Sequence, residues 1–386
     1  MEAPGLRLLV PGNVRHNSGG NAYNAALLRA LADLGVAAVS RDVDGDWPVG
    51  SAAERQRFGR LLTESDAGQV TLVDGLVACG APDELEAAAA AGVPAWILLH
   101  MPLGTHPELE RRALQAAAGV ICTSTSAAAA LRERHGLSGL HGTAGVGKIH
   151  VALPGTQPAP PAAGSDPPHL LALAALLPNK DQLLLLRALS ELTDLAWTAS
   201  LAGSDTADPA YATQLRQESE RLGLTERVRL PGELRGAELD AEWAAADLSL
   251  LISRAETYGL VVTESLARGV PVIVREGTGA VEALAAGTPG ADAAGTPAAG
   301  APALPGAAVA LGEDPAPLAA LLRRWLTEPP LRAEWRAAAL AAREHLPGWD
   351  ATARAVLAVL GAGRFRNGDG KRNPGIDTAA GAAGGE

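Results

Sequence analysis

A chain of 386 residues is long enough for two domains of ordinary size. Its 47% hydrophobic and 19% charged content describes a globular protein with a substantial core and excludes a disordered one. A formal net charge of −11 argues against a nucleic-acid partner and against electrostatic adhesion to an anionic membrane.

The N-terminal M-E-A-P-G-L-R-L-L-V-P-G lacks the basic start, apolar stretch and cleavage site of a signal peptide. No charge-free apolar run reaches about eighteen residues, so no membrane span is expected and a cytoplasmic protein is the default. Leu6 to Val10 is expected as a buried strand, and Pro11 to Gly20 as a polar, glycine-rich loop. A helix should follow with Tyr23, Leu27, Leu31 and Leu34 on one face, closed by Gly35. Val36 to Ser40, Val70 to Val73, Ala95 to His100, Gly119 to Thr123 and Ile149 to Leu153 suit parallel strands with helices between several of them. Cys79 and Cys122 both fall in such apolar runs, which predicts buried thiols rather than a disulfide framework.

Pro/Gly density is high from Pro154 to Pro168, the best candidate for a linker. A second series then begins. Strands are expected at Leu170 to Ala174, Trp197 to Leu201, Val228 to Leu230 and Leu248 to Ile252, with helices over Gln182 to Leu192, Ala210 to Leu222 and Ala237 to Ala246. The repeated alternation predicts an α/β protein of two doubly wound, Rossmann-like domains facing a cleft. Gly287 to Gly306 is low in complexity and expected as a mobile surface insertion. Trp349 to Leu360 reads as an amphipathic helix, and the stretch beyond it lacks apolar periodicity.

The most informative phrase lies between Ser253 and Val274, S-R-A-E-T-Y-G-L-V-V-T-E-S-L-A-R-G-V-P-V-I-V. A helix beginning near Tyr258 would place Glu256 at its mouth and Glu264 about two turns in, ahead of a strand from Val270 to Val274. The N–H groups of Gly259, Leu260 and Val261 would then face an anion, with the helix dipole behind them. Such a place offers donors for a phosphate and carboxylates for hydroxyls, which is what a nucleotide sugar requires. Lys180 follows the first strand of the second series, where α/β folds bind ligands, and a cation there can meet a diphosphate. An exposed helix-start lysine is the plainer alternative. Ser18-Gly19-Gly20 allows a close backbone approach after the first strand. His100 ends the strand A-W-I-L-L-H, a place where histidines are more often structural than catalytic.

The Ser253–Val274 phrase resembles the donor-site signature of retaining glycosyltransferases of family 4 (glycosyl transferases group 1), and further matches run from about residue 6 to 360. The resemblance implies the GT-B fold, with an acceptor-side domain over 1–155, a linker at 156–168 and a nucleotide-sugar-binding domain over 169–346. A helix at 347–362 would cross back to the first domain, with Trp349 marking the crossing, before a disordered tail at 363–386. An ordinary terminal helix on the second domain is the alternative. The resemblance also implies that Glu264 holds the ribose hydroxyls and Glu256 the hydroxyls of the donor sugar. Lys180 and the helix-start N–H groups would stabilise the departing diphosphate, and the Gly19-Gly20 loop would fold over the donor. His100 would line the acceptor side near the transferred sugar, with His16 a weaker candidate. Many members carry an arginine five residues before the lysine, where this chain has Ala175; Arg254 is the replacement cation within reach. The implied activity is metal-independent, retaining transfer from a nucleoside diphosphate sugar to a small-molecule, lipid or glycan acceptor, with no cofactor beyond the donor. A GT-B sugar-nucleotide epimerase and a catalytically silent nucleotide-sugar-binding protein are the alternatives.

Three other patterns carry no chemistry. Gly142 to Lys148, G-T-A-G-V-G-K, nearly spells a P-loop, but Ile149 replaces the hydroxyl residue and a strand is expected to follow. Asp42 to Asp46 resembles a calcium loop, but Trp47 stands where the turn glycine belongs. The eight histidines and two cysteines show no zinc-ligand spacing.

Overall fold

The computed structural model describes residues 5–14, 18–64, 68–136, 149–290 and 303–361. His16, the near-P-loop at 142–148, most of the low-complexity stretch and the tail expected at 363–386 lie outside the described residues. The first half runs β1 (Leu6–Pro11), α1 (Gly19–Asp33), β2 (Ala38–Val43), α2 (Ala52–Thr63), β3 (Val70–Asp74), α3 (Gly75–Ala78), α4 (Pro82–Ala90), β4 (Trp96–Leu99), α5 (Pro107–Ala116), β5 (Gly119–Cys122), α6 (Thr125–Arg134) and β6 (Ile149–Val151). The second begins with β7 (His169–Leu173) and a single 3-10 turn at Pro178–Lys180. It continues through α7 (Gln182–Ser190), β8 (Thr198–Ala202), α8 (Pro209–Arg221), β9 (Val228–Gly232), α9 (Gly236–Ala245), β10 (Leu248–Leu251), α10 (Leu260–Ala267), β11 (Val272–Arg275), α11 (Ala280–Ala285), β12 (Gly306–Val309), α12 (Ala316–Thr327), α13 (Pro329–Arg343) and α14 (Trp349–Leu360).

Two six-stranded sheets result, ordered β2-β1-β3-β4-β5-β6 and β12-β11-β10-β7-β8-β9, and every described pairing is parallel. Helices cover both faces of such sheets, so central strands are buried throughout, as β5, β10 and β11 are. In both sheets the strand order reverses beside the first strand, β1 or β7, which opens a crevice at the carboxyl ends of the strands. Cys79 and Cys122 are free and buried.

Two strands start two residues later than their sequences suggest, for one reason. Gly35 and Gly269 adopt positive φ after α1 and α10, and Val36 and Val270 each donate an N–H back to the preceding helix, to Leu31 and Ser265. Those residues finish helices by hydrogen-bonding their last carbonyls, which delays β2 to Ala38 and β11 to Val272. The low-complexity stretch also ends differently from expectation. Its last residue, Gly306, opens β12, and the Pro305 carbonyl accepts from Val272 N–H, so this end is the edge of the second sheet.

The segment before β7 has no helix or strand, yet it is packed. Ala162 N–H donates to Arg268 O, and Ala163 and Gly164 donate to Ala244 O. The chain then returns to the first sheet through α14, whose Ala353, Val356 and Leu360 share a core with Tyr23, Leu27 and Leu31 of α1. Thr156 N–H donates to Pro347 O at 2.8 Å, and Thr352 Oγ1 to Leu153 O at 2.8 Å. At that double crossing a Cβ on Gly155 would lie 2.3 Å from Trp349 N, so only glycine permits the backbones to pass. Among the described residues no helix is long and apolar enough to cross a membrane.

Candidate functional site

Two loops at the carboxyl edge of the second sheet build one wall of the cleft. The loop after β7 ends in the 3-10 turn carrying Lys180, and the loop after β10 carries Arg254 and Glu256 into α10. A backbone hydrogen bond from Arg254 N–H to Asn179 O, 2.7 Å, ties the loops together. Lys180 Nζ then donates to Glu256 Oε2 at 2.7 Å, with both side chains about four-fifths buried (20% and 16% exposed). Residues 76 positions apart thus form a single ion pair at the mouth of α10.

Asp181 supports this pair. It is buried and left-handed (φ 58°), and its carboxylate accepts from both Arg275 and Arg254. Arg275 also donates to the carbonyls of Ile252 and Leu311, the first in the loop that carries Glu256. Neither Asp181 nor Arg275 was expected to matter. The legible signal was Arg275 at the end of a β-branched buried strand, since a buried guanidinium needs a carboxylate partner. Arg254 has a second commitment: its guanidinium bonds both oxygens of Glu313, at 2.6 and 3.2 Å. At Ala175 the backbone carbonyl accepts from Gln182 Nε2 at 3.0 Å, and the side chain adds no cation.

Gly259 takes a φ of 89° ahead of α10, so the helix begins one residue after that glycine rather than at Tyr258, which is buried in the core. Val262 N–H bonds back to Gly259 O at 2.9 Å, whereas the N–H groups of Leu260 and Val261 precede the first intrahelical bond. About one turn in, the Glu264 carboxylate accepts no hydrogen bond among the described residues. Burial pushes its carboxyl above the ordinary range, and the Arg268 charge only partly opposes that. Arg268 is turned elsewhere, donating to the Glu264 backbone carbonyl at 2.9 Å and lying 4.9 Å from the Trp243 ring.

The start of α1 forms the facing wall. Gly19 and Gly20, expected in a loop, instead open α1, because the Ser18 side chain accepts from Asn21 N–H and caps the helix there. A Cβ built on Gly19 comes within 4.0 Å of Leu260 Cδ1, so the diglycine reaches the mouth of α10. A Cβ on Gly20 would lie 3.1 Å from His100 Cδ2, so the imidazole packs directly on that glycine. His100 Nε2 lies 3.0 Å from Asn24 Oδ1 and 3.4 Å from Asp74 Oδ2. Burial pushes the Asp74 carboxyl up, but His100 and the N–H donors of Leu76 and Asn24 outweigh it and the net direction is down. The walls also touch directly: Ser126 Oγ donates to Thr257 O at 2.6 Å, and Thr125 N–H to Glu282 at 3.0 Å. Lys180, Glu256, the α10 start and Gly19 therefore meet, His100 and Gly20 face them, Glu264 lies deeper, and Arg254 is held aside by two acids.

Comparisons with known proteins agree with this architecture. Residues 156–341 match the family model described as glycosyl transferases group 1. D-inositol 3-phosphate glycosyltransferase 1 of Catenulispora acidiphila is 31% identical over 167 residues, 43% of this chain and 34% of the relative. Mannosylfructose-phosphate synthase of Agrobacterium fabrum is 34% identical over 124 residues, 31% of this chain and 27% of the relative. These matches span well under half the length of the curated relatives. Over nearly the whole chain the fold resembles Anabaena HepE in complex with UDP-glucose (TM-score 0.67, 19% identity, covering 92% of this chain and 99% of that one). It equally resembles sucrose-phosphate synthase of Thermosynechococcus elongatus (TM-score 0.66, 18% identity, covering 92% and 98%). The fold is GT-B.

The unpaired Glu264 carboxyl carries a stability prediction. Its folded pKa lies above its unfolded one, so ionising it opposes folding; the penalty is absent in acid and fully present once pH exceeds the raised value. Glu264→Gln should therefore melt above wild type at neutral pH, with the gap closing as pH falls toward the ordinary carboxylate range (about 4.3). Paired melting curves at the two pH values check this, and a variant less stable than wild type at neutral pH would contradict it.

Proposed function

We propose that this chain, a GT-B protein of glycosyl transferases group 1 by the match of its residues 156–341, moves a sugar from a nucleoside diphosphate sugar to an acceptor hydroxyl. The transfer retains anomeric configuration and uses no bound metal. The observation that carries the reading is the Lys180–Glu256 pair at 2.7 Å beneath the open start of α10, with Glu264 about one turn in and unpartnered among the described residues. The fold shared with HepE, solved with UDP-glucose, supports the choice of donor class.

Each group has a task set by its chemistry. Lys180 spends one of its three N–H donors on Glu256 and keeps two for phosphate oxygens. The N–H groups of Leu260 and Val261, at the positive end of α10, add donors for the same charge. Glu256 keeps one oxygen for the hydroxyls of the donor sugar. Glu264 accepts the ribose hydroxyls, which supply the hydrogen bonds that its carboxylate lacks in the free protein. As the glycosidic bond breaks, negative charge grows on the diphosphate beside Lys180, where a preorganised cation acts most strongly. The acceptor hydroxyl, approaching on the same face, gives its proton to a leaving-group oxygen, so no strong general base is required. His100 and Gly20 stand on the acceptor side, and the diglycine closes over the donor.

A panel of nucleotide sugars, screened by thermal shift in the presence of EDTA, tests the donor class. A ligand at a hundred times its dissociation constant adds about 2.7 kcal/mol of stability, an easily read increase in melting temperature. No response from any nucleotide sugar, or a response only after magnesium or manganese is restored, would contradict the reading.

Because Ala175 supplies no charge and Arg254 is engaged by Glu313 and Asp181, Lys180 carries the leaving-group charge. Lys180→Ala should lower turnover by about a hundred- to a thousandfold at saturating donor. Ala175→Arg should restore part of that loss. Near-wild-type turnover in Lys180→Ala would make the lysine a surface residue and leave Arg254 as the next candidate.

A further inference from the structure

Two deeply buried polar side chains beside the cleft converge on a single imidazole nitrogen. Asn24 and Asp74 are 4% and 5% exposed, and both face His100 Nε2. Asn24 Nδ2 donates to Asp74 Oδ2 at 3.1 Å, which turns Asn24 Oδ1 toward the histidine. Asp74 Oδ1 accepts from Leu76 N–H at 2.9 Å, so the carboxylate is an acceptor on both oxygens. Nε2 therefore faces two acceptors, and an imidazole nitrogen so placed carries the proton. The remaining ring contacts leave one edge for the cleft. Gly20 covers Cδ2, Tyr23 packs edge-to-face at 5.3 Å, and no described residue bonds Nδ1. The Tyr23 hydroxyl is itself fixed on Ala152 O at 2.9 Å, and its ring meets Trp349 at 5.3 Å on the other side.

We propose that Asn24 and Asp74 are positioning residues that hold His100 as the Nε2–H tautomer, so that Nδ1 presents an unprotonated lone pair to a substrate hydroxyl in the cleft. This rests on the reading of the cleft as a sugar-transfer site. The hydroxyl belongs either to the transferred sugar or to the acceptor, and both would donate to Nδ1 in the same way.

Nitrogen-15 NMR of the free, histidine-labelled protein reads the tautomer directly, with His100 assigned by the signals lost in His100→Gln. The expected spectrum has Nε2 protonated and Nδ1 bare. In Asp74→Asn the new side chain's oxygen still caps Leu76, and its NH2 takes the place of the oxygen that accepts from Asn24 Nδ2, so the Asn24 amide should turn over. Nε2 then faces two donors and the proton should move to Nδ1. Transfer kcat/KM should then fall by about ten- to a hundredfold, the loss of one good hydrogen bond. Asn24→Ser provides a second variant that does not touch the cap. If donor hydrolysis without acceptor falls equally, the hydroxyl is the donor sugar's; if only transfer falls, with KM for the acceptor raised, it is the acceptor's. A wild-type spectrum with Nδ1 protonated, or variants whose tautomer changes while transfer does not, would overturn the proposal. The spectrum needs no substrate, so a wrong tautomer and a wrong donor class fail in separate experiments.

Discussion

Charge is the constraint on which this cleft depends. In the proposed reaction a diphosphate settles in a protein of net charge −11, between the two glutamates assigned to the sugar and the ribose. The Lys180–Glu256 contact reconciles these demands. In the free protein each member neutralises the other, which keeps a partly buried carboxylate and ammonium from standing unpaired. Breaking such a pair by removing one partner leaves the other uncompensated, so the two side chains are best regarded as one unit. Asp181 and Arg275 hold that unit from below, fixing the loops after β7 and β10 by side-chain contacts to both. Glu264, in the helix that follows, is the counterexample: among the described residues it is left without a donor, a local cost of the kind folds tolerate at binding sites.

The two walls are joined at more than the double crossing of the chain. Thr257, next to Glu256, accepts from Ser126, and Glu282 takes the N–H of Thr125 at the start of α6. The loop after β10 therefore bears directly on α6 of the first half. Elsewhere, Trp349 and His100 both pack edge-to-face with Tyr23, each with ring centroids 5.3 Å away. One tyrosine ring thus touches both the returning helix and His100.

Most strands of both sheets were legible because parallel strands buried on two faces read as continuous apolar runs. Boundaries slipped where Gly35 and Gly269 end helices, since the following valines look like strand while their N–H groups finish a helix. β12 was hidden because an edge strand rich in alanine and glycine needs only backbone pairing, which leaves no apolar period to detect. Within the cleft, Glu256, Glu264 and Lys180 could each be picked out by residue type and place. The pairing of Lys180 with Glu256 could not, because the two lie 76 positions apart and three strands and three helices fold between them. Asp181, Asn24 and Asp74 were invisible for a related reason: each acts through a partner distant in sequence, and a single aspartate or asparagine has no periodicity.

The most direct test of the central claim is a double-mutant cycle on Lys180→Ala and Glu256→Gln, read as turnover with the nucleotide sugar that the protein binds. If the pair acts as one unit on the departing diphosphate, the double mutant will be about as slow as the slower single mutant, a coupling of roughly 0.5–3 kcal/mol. If the two losses simply multiply, the residues act independently, and the 2.7 Å contact between them has no part in catalysis.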